Sequence, residues 1–199
     1  MPFTTLDLSK QSGTSLPSTI TTLDATVLSG NLPALNGSAL TNISAGKLNQ
    51  IIRMESGSET TTTGTTFVNS NLTATITPTA TDSKILIFVT DNAMFVHTNS
   101  HNDNGMGFRI KRTIGGSDST VTTDTQPYQG FYSSKRGGTD HNRRQTISWH
   151  AVDNAHNTTS AITYTHQFNV YRGNDNAIGK SVHDNSRGNM TLIEVLAWI

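Results

Sequence analysis

No cysteine occurs anywhere in the 199 residues. That excludes disulfide staples, thiolate catalysis and cysteine-based zinc sites. Apolar residues make up only 33% of the chain and aromatics 7%, which is lean for a soluble domain. Excess charge of either sign is missing as well: 14 basic and 14 acidic residues give a formal net charge of +0. Neutrality argues against a nucleic-acid partner, whose phosphates call for surplus Lys and Arg, and against a polybasic membrane-surface anchor. No stretch approaches the roughly 20 apolar residues needed to span a bilayer, so membrane insertion is not expected. The opening MPFTTLDLSKQSGTSLPSTI has neither the basic start nor the apolar run of a signal peptide. Glutamate is scarce, with only Glu55, Glu59 and Glu194, and few acidic residues fall where the paired carboxylates of a glycosidase would be needed.

Threonine is what the chain has in abundance, roughly a sixth of all residues, together with Asn and 16 Gly. Thr is β-branched and suits strands, while Asn and Gly suit turns and bulges. The bias is therefore all-β and loop-rich. A chain so poor in apolar residues covers a large core badly by itself. A thin sandwich that buries one more face against a neighbouring subunit fits better.

Two textures divide the sequence. Residues 1–46 carry Leu6, Leu8, Leu16, Ile20, Leu23, Val27, Leu28, Leu32, Leu35, Leu40 and Ile43 with no steady period of 2 or 3.6. Pro17, Pro33, Gly30 and Gly37 interrupt any helix. The expectation is an extended N-terminal arm or stalk, for attachment or trimerisation, whose leucines are buried against copies of itself. Residues 47–199 read as strands: LNQIIRM (48–54), TFVNSNLTATITPTA (66–80), KILIFVTDNAMF (84–95), GFRIKRT (107–113), QTISWHAVD (145–153), AITYTHQFNVYR (161–172) and NMTLIEVLAWI (189–199). KILIFVTDNAMF, the strongest apolar run, is the expected central strand. GFRIKRT reads as a solvent-facing one, with Arg109, Lys111 and Arg112 set against Phe108 and Ile110. The fold class expected is an antiparallel β-sandwich of jelly-roll type.

Candidate sites are sparse. Tyr128, Phe131 and Tyr132 in QPYQGFYSS can form a sugar-stacking platform or pack inward as a short edge strand. Lys135 and Arg136, in SSKRGGTDHNRR with Arg143 and Arg144, can contact an anionic glycan or simply line a solvated loop. Together Tyr128, Phe131, Tyr132, Lys135 and Arg136 are the candidate glycan-binding set. His97 and His101, beside Asp103, come nearest to a metal site, but that spacing serves a helix best and here falls in a Gly/Asn-rich loop. No metal or cofactor is expected. The G-x-S-x-G nucleophile elbow is missing, and the adjacent pairs Asp140–His141 and His183–Asp184 carry no geometry by adjacency alone. No enzymatic role is expected. Glu194, in the closing strand, is expected on the outer face or at a subunit contact, and Trp149, in phase with Ile147, in the core.

Two stretches carry a family resemblance. LSGNLPALNGSALTNIS (28–44) resembles a segment of short fibre and other virion proteins of marine and cyanobacterial tailed bacteriophages. GKLNQII, then TTTGTTFVNSNLTATITPTATDSKILIFV, a Ser/Thr-rich approach to the ITY strand and the closing TLIEVLAW are similar to the β domain of those proteins. The likeness covers most of 28–199 and is specific to the family, not to one role in the particle. It implies a homotrimer with a jelly-roll-like C-terminal domain and transfers no catalytic residue. The implied role is a short tail fibre that attaches to the host surface. The alternatives are a trimeric capsid cement or decoration protein and, more remotely, a lectin-like module. The implied location is the virion exterior, on tail or capsid, after synthesis in the host cytoplasm. Other virion proteins would be met through residues 1–46.

Overall fold

A computed structural model describes residues 48–97, 103–121, 130–134, 141–171 and 177–196. The chain divides into two units, Met1–Ile43 and Ser44–Ile199. Every described residue belongs to the second, and the expected arm, residues 1–46, lies outside them. The described residues are all-β. Their strands are β1 (Leu48–Ser56), β2 (Thr60–Thr62), β3 (Val68–Ile76), β4 (Lys84–His97), β5 (Asp103–Ile114), β6 (Ser117–Thr120), β7 (Phe131–Ser134), β8 (His141–Asp153), β9 (Ile162–Val170), β10 (Ile178–Ser181) and β11 (Gly188–Val195).

Two antiparallel sheets pack face to face, the sandwich that the composition predicts. In the first sheet, β8, β4, β11 and β1 lie side by side, while β10 replaces β11 along the second half of β4 and carries β2. In the second, β3, β9 and β5 lie side by side, and β6 and β7 share the far edge of β5. KILIFVTDNAMF is indeed the centre of the first sheet, since β4 bonds to β8 on one side and to β11 and β10 on the other. Its alternation sends Ile85, Ile87, Val89, Asp91, Ala93 and Phe95 inward. From the second sheet, Leu72, Ala74 and Ile76 of β3 and Ile162, Tyr164, Phe168 and Val170 of β9 meet them.

The strand at GFRIKRT keeps Arg109 and Lys111 on its outer side, but not Arg112. β5 lies between β9 and the pair β6/β7, and Phe108 and Ile110 are buried. Arg112 is in phase with Ile110, two residues on, so the period of 2 sends it to the inner face with them. Strands β2, β6 and β10 are short and polar (TTT, SDST and IGKS), without an apolar alternation to announce them. One signal does announce β6: Gly115 and Gly116, at φ 55° and 83°, make the two-residue turn that sets Ile114 opposite Ser117. A hairpin turn of that length needs positive φ at its centre, which Gly-Gly supplies.

Candidate functional site

The sequence-predicted residues do not converge in the described structure. Tyr128, Lys135, Arg136 and His101 lie outside the described residues. The backbone of Phe131 and Tyr132 forms β7, an edge strand paired with β5. That of His97 ends β4, opposite His141. Among the described residues, no group of three or more His, Asp or Glu side chains is placed to hold a metal ion, and no helix is long and apolar enough to cross a membrane.

Polar groups missed by the sequence reading fill the centre of the sandwich instead. Ser70, Asp91, His166 and Ser181 are all buried, between one apolar cluster around Leu72 and Ile87 and another around Phe95 and Phe168. Asp91 accepts from Ser181 Oγ at 2.7 Å and from the Val182 amide at 2.7 Å. Its burial pushes the carboxyl pKa up, against the downward pull of those two bonds. Burial pushes the His166 imidazole down to about 3, so the ring is neutral.

Ser, His and Asp are all present here, but they are not wired for catalysis. The Ser70 hydroxyl and the Asp91 carboxylate both approach the same ring nitrogen, His166 Nδ1, at 3.1 and 3.8 Å. A nucleophilic triad needs the hydroxyl on one nitrogen and the carboxylate on the other. Ser70 Oγ already accepts from the Leu72 amide. Among the described residues, His166 Nε2 has no hydrogen-bond partner. With His166 fully buried, stacked on Phe108 at 5.3 Å and tilted against Trp149 at 5.9 Å, no substrate reaches it. The cluster is structural.

Three further carboxylates are committed to structure. Both Asp153 oxygens accept from one Arg112 nitrogen, Nη1, at 2.9 and 3.0 Å, and Oδ2 also accepts from the Tyr164 hydroxyl at 2.7 Å. Burial, followed by the bond to Asp153, pushes the Tyr164 hydroxyl pKa up. Glu194 faces inward and exposes no surface, contrary to the expected outer face or subunit contact, because the alternation of β11 puts it in phase with Met190 and Leu192. Desolvation there is outweighed by donors: Gln50 at 2.6 Å, Asn49 at 2.7 Å and the Thr79 amide at 2.8 Å draw its pKa down to about 2. Glu59 is held at about 2 chiefly by Lys180, against desolvation, with help from the Asp184 amide and His183.

Glu59 anchors a strained turn. Val182 and Asp184, on either side of His183, have φ of 53° and 60°. A β-branched residue adopts that conformation only when its surroundings impose it. Here Asp91 binds one amide and Glu59 the other. Beside the turn lies an open pocket of about 360 Å³ lined by Asn92, Ala93, Arg144, Gln145, Thr146, His183, Asp184 and Ser186. Arg144 and Asp184 face each other there at 3.6 Å. A lining with both signs and several amides and hydroxyls suits hydrogen bonding to neutral polar groups better than capture of an ion.

The two outer faces differ sharply. On the second sheet, Thr73 bonds Thr165 at 3.3 Å and Thr75 approaches Thr163 at 2.9 Å. Gln167 links Asn69 to Arg109, whose guanidinium lies 4.2 Å from the centre of the Phe67 ring. That face is a self-satisfied polar lattice. On the first sheet, cross-strand pairing sets Ile51, Ile193, Leu86 and Val152 in one row, flanked by Leu48 with Val195 on one side and Phe88 on the other. Leu48, Ile51, Phe88 and Val152 are 56%, 55%, 42% and 44% exposed. All the large apolar side chains that the described residues leave exposed lie on this one face.

No family model matches the chain, and no curated protein matches it. Among solved structures, those of infectious bursal disease virus Gt strain and Gx strain are similar, each at 11% identity. The first has a TM-score of 0.34 over 83% of this chain, and the second 0.32 over 85%. The chain spans 43% and 42% of the length of those two chains. A likeness of that size carries no argument about function.

Proposed function

We propose that the chain is a structural subunit of a tailed-bacteriophage particle, a short tail fibre that works as a homotrimer. In this reading it has no catalytic role. The β domain points toward a host-surface glycan, and residues 1–46 hold it to other virion proteins. The observation that carries the proposal is the contrast between the two outer faces. An exposed apolar face four strands wide is the mark of a surface meant to be covered, and the opposite face satisfies its polar groups within the chain. The family resemblance of residues 28–199 supplies the kind of assembly. The exposed apolar face also suits a trimeric capsid cement protein.

The test is made on purified particles. Quantitative mass spectrometry should find the chain at tens of copies per virion, with antibody label at the tail. Hundreds of copies with label over the head would replace the fibre by the cement reading. A chain missing from the particles would overturn both.

A further inference from the structure

We infer that the open pocket beside the strained turn is a binding site for a neutral sugar residue, held by Arg144, Thr146, Asp184 and Ser186. The inference rests on the glycan reading above and names its site and the class of sugar. It moves recognition from the stretch around Phe131 and Tyr132 to the outer face of the first sheet, where Asn92 of β4 stands opposite Thr146 of β8.

The hydrogen-bonding capacity left over in the lining selects the ligand. Thr146 spends its hydroxyl proton on Asn92 Oδ1, and Ser186 spends its own on the His183 carbonyl at 2.6 Å. Asn92 donates in turn to the Arg187 carbonyl at 3.0 Å. Both hydroxyls are thus fixed in place and offer a ligand only lone pairs. Arg144 and Asp184 differ from them. Their approach of 3.6 Å is long for a hydrogen bond, and both side chains are largely exposed. Such a pair contributes little by itself and yields readily to better partners. A cation would suit the acceptors but meet Arg144. An anion would suit Arg144 but meet Asp184. A hydroxyl donates and accepts through one atom, and neighbouring hydroxyls on a ring reach both charges at once.

Size and stiffness agree with this choice. At about 360 Å³ the pocket lies near the lower end of the range for small-molecule sites, which suits a single ring. The Asp184 amide bonds Glu59 at 3.1 Å, and Glu59 is itself bound by Lys180 at 2.8 Å. Val182 and Asp184 keep positive φ in this turn, and backbone strain of that kind gathers at ligand sites. A wall fixed before binding spares the ligand the cost of ordering it.

Ligand-detected nuclear magnetic resonance on the full-length chain tests the site. The probes are glucose, galactose, mannose and N-acetylglucosamine at millimolar concentration, with glucuronic acid and glucosamine as charged counterparts. Saturation should transfer to at least one neutral sugar, and to neither charged one more strongly. Arg144→Ala and Asp184→Gly alter only exposed side chains, so the melting transition should persist in both. Each should weaken the affinity by about tenfold or more, the size of one hydrogen bond to a charged group. Tyr132→Ala should leave it unchanged.

A signal that ignores Arg144 and Asp184, or that vanishes in Tyr132→Ala alone, overturns the inference and leaves the glycan reading standing at another place. Preference for glucuronic acid or glucosamine overturns it as well, since the pocket would then select charge. Transfer to none of the probes also sinks it. In that event a chain labelled at the tail of purified particles keeps the fibre reading, and a chain missing from them removes that reading too.

Discussion

Glu194 offers a test of how the fold is held at one end of the sandwich. Its carboxylate exposes no surface and collects the side-chain amides of Asn49 and Gln50 and both the amide and the hydroxyl of Thr79. The bonds tie β11 to β1 and to the segment after β3. A carboxyl held at about 2 in the fold, against 4.5 without its partners, contributes about 3 kcal/mol. The sign follows from proton uptake. The unfolded chain takes a proton near pH 4.5 and the folded chain near pH 2, so the contribution is full above 4.5 and fades as pH falls toward 2. Glu194→Gln keeps the shape but aims an NH₂ at groups that are themselves donors. The expected loss is about 3 kcal/mol at pH 7, read as a melting temperature lower by about 6–12 °C for a domain of this size. The gap to wild type should close as the pH approaches 2. Comparing the two proteins at each pH cancels every other titrating group. A gap that ignores pH, or one below about 1 kcal/mol, would refute the reasoning.

Three further substitutions probe other parts of the argument. Arg112→Met leaves Asp153, only 3% exposed, without its counter-charge, and should cost about 3–5 kcal/mol in urea unfolding; a loss under 1 kcal/mol would mean the pair is not holding the two sheets. Gly188→Ala sets a methyl 2.9 Å from Leu72 Cδ2 and 3.2 Å from the Thr90 carbonyl oxygen, and about 1–3 kcal/mol of overpacking should appear in the same assay. Asp184→Gly relieves a φ of 60° and gives up only an exposed contact at 3.6 Å, so the melting temperature should rise, by about 1 kcal/mol of stability. A fall there would assign the Asp184 side chain a structural bond that its exposure argues against.

The strands that the sequence reading located are those in which a period of 2 was written in residues of opposite kind, or in which an apolar run stood out. β9 alternates Ile162, Tyr164, Phe168 and Val170 with Thr and Asn, whereas β4 was placed by its continuous apolar run, with Leu86, Phe88 and Met94 between inward residues. The reading failed where a polar residue occupied an inward position. Arg112 looked solvent-facing because a guanidinium usually is, yet its place two residues after Ile110 decided its direction, and Asp153 made the burial tolerable. Glu194 was misplaced for the same reason. Strict alternation from Leu192 would have turned it inward, and its donors, Asn49, Gln50 and Thr79, come from far along the chain. The polar centre around His166 was beyond reach for a related cause. Ser70, Asp91, His166 and Ser181 come from four strands, and only the pairing of those strands brings them together. The apolar outer face was half legible: the lean composition called for a second buried face, but its residues are drawn from β1, β4, β8 and β11, and strand order had to be known first.

The buried polar groups also explain why such a face should exist. Asp91, His166, Ser70 and Ser181 occupy the middle of a core that has few apolar residues to begin with, and they separate it into two clusters. A neutral imidazole with an unpartnered Nε2 and a carboxyl pushed up by burial are both net losses in the folded state. The bonds that Asp91 accepts from the Ser181 hydroxyl and the Val182 amide offset part of this. What the chain leaves unburied is a row of Ile, Leu, Phe and Val on one outer face. Covering that row adds apolar burial without adding a residue to the core, at roughly 25 cal/mol for each Å² removed from water. A sandwich built this way gains its margin of stability on association, which is the behaviour proposed for this chain.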